Sequence, residues 1–198
     1  MKQYMLDTNI FRHKTNANDS ADLQAGARSL WNKIIEEVYN HHAVLLVPKE
    51  VVRELEVQSF TLKENQNEKI ADLLEMCREI EPEHFNIDIE FSLRKLSAYI
   101  RAQHRGLLVS DKVEYLKASD ARILYTAYYK DSILVTSNVK DFILYPLLFP
   151  AGEERLYCMK TNQYIKIPDD GHRTIHDDIT FQGMVQDFYR LEQEAEEA

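Results

Sequence analysis

Gln3-Tyr4-Met5-Leu6-Asp7-Thr8-Asn9 sets a short apolar run against an abrupt polar stop. An apolar run of strand length, broken by turn-forming residues, reads as a buried strand and leaves Asp7 at its carboxyl end. Two further runs repeat the pattern. Ala43-Val44-Leu45-Leu46-Val47 leads into Pro48, and Ile133-Leu134-Val135-Thr136 is flanked by polar residues. Proline suits the first turn of a helix, so the run before Pro48 reads as a strand-to-helix junction.

Between these runs the apolar spacing is helical. Leu23, Ala27, Leu30, Trp31, Ile34, Ile35 and Val38 share one face after a cap at Asp19 or Ser20. Val51, Val52 and Leu55 follow Pro48. Ile70, Leu73, Leu74 and Cys77 mark another helix, ended by Pro82. Phe91, Leu96, Tyr99 and Ile100 predict a helix between Phe91 and Gln103 with Gly106 as its stop, and a further long helix is expected from about Lys112 to Lys130. Buried strands alternating with amphipathic helices predict an α/β fold, its mainly parallel sheet covered on both faces and its active residues at the strands' carboxyl ends.

Beyond Pro150 the pattern changes. Leu156 to Lys160 and Tyr164 to Ile167 flank Thr161-Asn162 as the arms of a hairpin would, and Phe181, Met184, Val185, Phe188 and Leu191 form a last amphipathic stripe. The expected organisation is a domain over 1–150 and an extension over 151–198, packed on that domain or on a partner. The stripe reads as packing, or as a dimer or partner surface.

A chain of 198 residues with 44% hydrophobic and 29% charged side chains is long enough, and apolar enough, to bury one substantial core. Cys77 and Cys158 lie far apart in apolar settings and indicate reduced thiols rather than a disulfide framework or a cysteine zinc site. Met1 to Asp7 lacks the pattern of a signal peptide, and no apolar run approaches the roughly 20 residues that cross a bilayer, so a cytoplasmic protein without membrane partners is expected. The formal net charge of -9 argues against a protein that coats nucleic acid by bulk electrostatics. Any nucleic-acid contact must be local.

Acidic or polar residues stand beside apolar runs at Asp7-Thr8-Asn9, at Glu54-Leu55, at Ser119-Asp120 and from Asn138 to Asp141. A parallel sheet can bring all of them to one end. Clustered carboxylates repel one another and raise each other's pKa unless a hard cation sits among them, so a metal is the economical explanation. Mg2+ or Mn2+ suits oxygen ligands and bridges to phosphates, which makes activation of a water for attack on a phosphodiester available.

Leu6-Asp7-Thr8-Asn9, Pro48-Lys49-Glu50-Val51-Val52-Arg53-Glu54-Leu55, Ala118-Ser119-Asp120-Ala121 and Leu134-Val135-Thr136-Ser137-Asn138-Val139-Lys140-Asp141-Phe142 resemble, in order, the successive motifs of PIN-domain ribonucleases. The resemblance runs from Lys2 to about Phe149, and its specificity lies in the order of the motifs rather than in any one of them. It implies an α/β/α sandwich, a divalent metal, RNA as substrate and, in prokaryotes, often a toxin restrained by an antitoxin. It further implies that Asp7, Glu54, Asp120 and Asp141 are the catalytic metal ligands. Asn9 would hold the first loop, and Thr136 would orient ligands or phosphate. Asn138 departs from the pattern, since many members place an acid there.

Each of these residues has a plainer role available. Asp7 can cap a turn, Glu50 rivals Glu54 from one turn earlier, Asp120 or Ser119 can cap a helix, and Asp141 can be a solvated loop acid. Arg94, Lys95, Arg101, His104, Arg105, Lys112 and Lys117, with Tyr99 and Tyr115 interleaved, suit RNA binding or an ion-paired helix face. His172 and His176 have metal-ligand spacing, though a polar loop and helix cap is the plainer reading of 172–178. The functions in play are a metal-dependent endoribonuclease, a PIN-like binding module with weak or no catalysis, and a different metal phosphoesterase such as one acting on DNA flaps. An antitoxin and a homodimer are the partners to be tested.

Overall fold

The computed structural model describes residues 1–16, 19–108 and 114–197. Strands β1 (Lys2–Leu6), β2 (Ala43–Pro48), β3 (Arg78–Ile80), β4 (Ile133–Thr136), β5 (Leu156–Cys158) and β6 (Gln163–Ile165) form one sheet in the order β3-β2-β1-β4-β5-β6. All neighbours run parallel except the β5–β6 hairpin. Tyr4, Met5, Leu6, Leu45, Leu46, Leu134 and Val135 are buried. Strands covered on both faces have no solvent side to mark with polar residues, which explains the unbroken apolar runs.

The helices are α1 (Thr8–Thr15), α2 (Ala21–Tyr39), α3 (Lys49–Ser59), α4 (Glu64–Glu75), α5 (Ile87–Gln103), α6 (Ala118–Tyr129), α7 (Asp169–His176) and α8 (Ile179–Glu196). The connections β1 to β2 and β2 to β3 step outward in one direction, while β3 to β4 steps back across β1. Right-handed crossovers therefore set α1–α4 on one face and α5–α6 on the other. Trp31 anchors the first face, fully buried with its indole N–H donating to the Ile10 carbonyl and its ring edge-on to Phe11. On the second, Tyr125 and Tyr128 of α6 meet Phe188 of α8, and α8 packs along α5.

Register aligns the strand ends. Leu6 lies opposite Val135, and the Asp7 N–H donates to the Val135 carbonyl at 3.1 Å, so the chain leaves β1 and β4 side by side. Pro48 closes β2 one strand over and opens α3 directly.

Several boundaries differ from the sequence reading. Ser20 is the cap of α2, its hydroxyl accepting from the Leu23 N–H. The expected helix near Ile70 ends at Glu75 rather than at Pro82, because β3 intervenes, a three-residue edge strand too short to show alternation. Helix α5 starts at Ile87, four residues before Phe91, since the Asn86 side chain accepts from the Asp88 and Ile89 N–H groups. It ends at Gln103, and Gly106 lies inside a 3-10 turn over Arg105–Leu107 rather than acting as the stop. The helix expected from about Lys112 begins only at Ala118, because the Glu114 N–H is committed to the Lys140 carbonyl and Lys117 takes the cap position. Lys112 itself lies outside the described residues. Two helices were not anticipated, α1 directly after Asp7 and α7 within the stretch read as a polar loop. The hairpin is present, and its first strand extends the parallel sheet beside β4.

Candidate active site

Asp7 is 3% exposed and occupies the junction of β1 and α1, where it is the residue preceding the first helical turn. Its Oδ2 accepts from the Thr136 hydroxyl at 2.8 Å and from the Asn9 side-chain amide at 3.3 Å. Thr136 is the last residue of β4, and its Oγ1 also accepts from the Asn138 N–H at 2.9 Å. One hydroxyl thus joins the first acid to the loop that carries the last. Burial drives the Asp7 carboxyl up to about 7, the Thr136 bond opposes that rise, and the neighbouring Asp120 adds to it.

Asp120 sits in the first turn of α6, where the helix dipole favours negative charge. Its pKa is nevertheless raised to about 6, first by burial and then by Asp141, with the Lys117 ammonium offsetting part of the rise. Its Oδ2 is buried and has no hydrogen-bond partner among the described residues. A carboxylate oxygen out of water and without a donor is costly, so this atom is the clearest sign that the site suits a cation. Asp141 is 7% exposed in a 3-10 turn over Val139–Asp141, and burial raises its pKa while Lys140 and Lys117 lower it. The Asn138 amide donates to Asp141 Oδ2.

Glu54 reaches the same place from α3, where the Thr8 hydroxyl donates to its Oε2, and its charge raises the pKa of both Asp7 and Asp120. Glu50 points elsewhere and receives Arg122 Nη1 at 3.4 Å. The four acids named from sequence are therefore neighbours, although no three His, Cys, Asp or Glu side chains among the described residues converge on one ion-sized point. Thr8 and Asn138 each hold one of the carboxylates. All four acids offer only oxygen, the donor set that hard cations such as Mg2+ and Mn2+ take.

No protein-family model and no curated protein matches the chain. Among solved structures it is similar to VapBC2 from Rickettsia felis bound to a DNA fragment from their promoter, with 22% identity and a TM-score of 0.46 over 71% of this chain and 91% of that one. It is also similar to VapBC-1 from nontypeable Haemophilus influenzae, with 23% identity and a TM-score of 0.42 over 71% and 90% of the two chains. FitAcB from Neisseria gonorrhoeae aligns at 19% identity with a TM-score of 0.40 over 71% and 91%.

The basic segment divides. Arg94 is ion-paired with the buried Glu90, and His104 is held at 2.8 Å by Asp178, which also accepts from the Tyr99 hydroxyl. These tie α5 to itself and to the cap of α8. Lys95 lies over the Phe91 ring, Arg101 stacks on Tyr115 at 3.9 Å, and Arg105 and Lys117 are exposed. His172 and His176 stack face to face at 4.2 Å, and their Nε2 atoms meet the Phe149 and Leu147 carbonyls at 3.0 Å each. Two ring nitrogens turned to carbonyls fasten α7 to the 3-10 turn over Tyr145–Leu148. Asp178 caps α8, accepting from the Thr180 and Phe181 N–H groups.

Sequence reasoning passed over Thr8 and Arg122. Thr8 stands inside the quoted first motif, yet a hydroxyl beside an acid gives no hint that it bonds a glutamate 46 residues away. Arg122 bridges Glu50 and Glu90 beside the site, and its place two residues past Asp120 in the same helix was the available signal.

Proposed function

We propose that this protein is a Mg2+- or Mn2+-dependent endoribonuclease with its catalytic unit in residues 1–150. The observation that carries the reading is the set Asp7, Asp120 and Glu54, acids from three different elements: burial raises the pKa of Asp7 and Asp120, the charge of Asp120 raises Asp7 further, Glu54 raises both, and the buried Asp120 Oδ2 lacks a donor among the described residues. Such a set is unfavourable for the empty fold and favourable once a divalent cation is present. Asp7, Glu54, Asp120 and Asp141 are the residues that would hold the ion. The bound ion supplies a nucleophilic water at neutral pH and neutralises charge on the phosphate.

The other side chains hold this arrangement. Thr136 and Asn9 both donate to Oδ2 of Asp7 and so fix the orientation of its carboxylate. Lys117 and Lys140 stand near Asp120 and Asp141 and lower the cost of ionising both before an ion arrives. Arg101 on Tyr115 presents a cation and a ring face, the pairing that suits a phosphate and its base. RNA as the substrate, and a toxin role with an antitoxin partner, rest on the ordered motif resemblance.

The test is cleavage of single-stranded RNA by purified protein in Mn2+, with a DNA competitor and with Asp120→Asn. Metal-dependent cleavage lost in the variant supports the reading. Intact RNA, or equal cleavage by Asp120→Asn, ends it, and preferential cutting of DNA moves the protein to another phosphoesterase class. One observation favours a second reading, a PIN-like binding module of low activity: Asn138 occupies Asp141 with an amide donor. RNA or protein binding without cleavage, and activity restored by Asn138→Asp, would select it. Co-purification with a small partner and light scattering read the antitoxin and the homodimer.

A further inference from the structure

Beside the acids, on the α1 side, the surface changes sign. A cavity of about 280 Å3 is lined by His13, Lys14, Arg28 and Lys69 together with Thr15, Asn16, Gln24 and Ala27. A second cavity of about 230 Å3 adjoins it through Thr15 and Asn16 and adds Arg12 and Lys63. Neither lining contains an acidic side chain among the described residues. Among the described residues, Arg12, Lys14, Arg28, Lys63 and Lys69 gather around these two cavities and none of the five takes part in an ion pair, in contrast to Arg94 and Arg122 beside the acids. Five cations clustered around cavities whose described linings hold no acid make a local positive surface on a protein of net charge -9.

His13 connects this surface to the acids. Its Nδ1 is 2.5 Å from Asp19 Oδ2, its Nε2 is 3.1 Å from Ser137 Oγ, and Ser137 directly follows Thr136, the residue that holds Asp7. Asp19 is fixed in turn by the Asn16 amide at 2.7 Å. The imidazole therefore has a set orientation, and the cavities open next to the loop carrying Thr136 and Asn138. Among the described residues no aromatic side chain lines either cavity apart from His13, whose ring is held edge to edge by Asp19 and Ser137 rather than offered to a base. Cations gathered without a stacking surface recognise a phosphate backbone.

We propose that this basic track binds the phosphodiester backbone of single-stranded RNA on one side of the scissile bond, independently of base sequence. The assignment of RNA rests on the nuclease reading above, while the track itself stands on the cavities and the unpaired cations. It explains how an acidic protein can hold a polyanion: the strand is gripped away from the carboxylates, and only the phosphate at the metal meets them.

The experiment measures binding of a fluorescent single-stranded RNA oligonucleotide to the full chain in chelator, where no cleavage occurs, by anisotropy across a range of NaCl concentrations. Each phosphate contact to a single strand contributes a slope of about 0.7 in log K against log salt, so the double variant Arg28→Gln/Lys69→Gln is expected to lower the slope by about 1.4. Affinity should fall equally for two unrelated sequences, and circular dichroism should show an unchanged fold. Arg94→Gln, whose guanidinium is ion-paired, should leave the slope unaltered. An unchanged slope in the double variant, or no binding by the wild type, overturns the track. Displacement by polyglutamate as effective as by RNA overturns the RNA assignment and makes the track a seat for an acidic peptide. Cleavage in Mn2+ is scored separately, so a track confirmed by slope without any cleavage would sink the nuclease reading and leave the binding site standing.

Discussion

Replacing Asp7 by Asn should stabilise the metal-free protein, and more so as the pH rises. The Asp7 carboxyl is held at about 7 in the fold against an ordinary 3.8. Below 3.8 the group is protonated in both folded and unfolded chains and contributes nothing. Between the two values the folded chain retains a proton that the unfolded chain has released, so stability falls by about 1.4 kcal/mol per pH unit, and above about 7 the loss is complete. The full penalty is on the order of 4 kcal/mol. Asn keeps an oxygen that accepts from Thr136 and cannot ionise, which removes the penalty together with the repulsion from Asp120 and Glu54. From pH 5.5 to pH 8 the variant's advantage should widen by about 2 kcal/mol, or roughly 4–8 °C in Tm for a chain of this length. Thermal melts of both proteins in chelator at the two pH values provide the measurement. Mn2+ should then raise the wild-type Tm and move the variant little, since the ion stabilises only the fold that ligates it. A gap that is constant between the two pH values, or a variant less stable at pH 8, would refute the account of Asp7 as a strained buried acid.

Thr136→Val, isosteric but without the hydroxyl, strips a donor from Asp7 and leaves the Asn138 N–H unpaired; a loss of about 1–3 kcal/mol by urea titration and slower cleavage are expected. Gly26→Ala and Gly171→Ala each drive a methyl into backbone, 2.8 Å from the Met159 carbonyl oxygen and 2.5 Å from that of Leu107, and each should cost about 1–3 kcal/mol in the same titration, whereas Gly183→Ala, with open space around it, should be neutral or mildly stabilising. Trp31→Ala empties the core beneath α2 and removes the bond to the Ile10 carbonyl, with a cost of about 3–5 kcal/mol read from the unfolding midpoint.

The elements that were legible in sequence share a physical property: they bury their side chains. β1, β2 and β4 are central parallel strands, and burial on both faces leaves an apolar run that needs no partner to be recognised. Helix α2 is long enough for its stripe to repeat. What escaped was short or held from outside. The three residues of β3 are strand only because Arg78, Glu79 and Ile80 pair with Leu46, Val47 and Pro48. Helix α7 is fastened by its two histidines to carbonyls more than twenty residues away, a contact no local pattern encodes.

By itself the sequence determined the α/β layering and the place of Asp7, because a buried strand that ends in Asp must present that group at an end of the sheet; that Asp120 lies in the first turn of α6 was decided by the structure, which starts this helix at Ala118. Only the tertiary structure decided which groups meet. Glu50 and Glu54 part company because Arg122 claims the first and the Thr8 hydroxyl the second. That Asp120 keeps a bare buried oxygen, and that Asn138 turns its amide onto Asp141, depends on distances across chain segments, as does the line from Asp7 through Thr136 and Ser137 to His13. Local periodicity reports whether a side chain is buried; hydrogen bonds and Coulomb forces over a few ångströms report what it is buried against, and those come into being only when the strands are laid side by side.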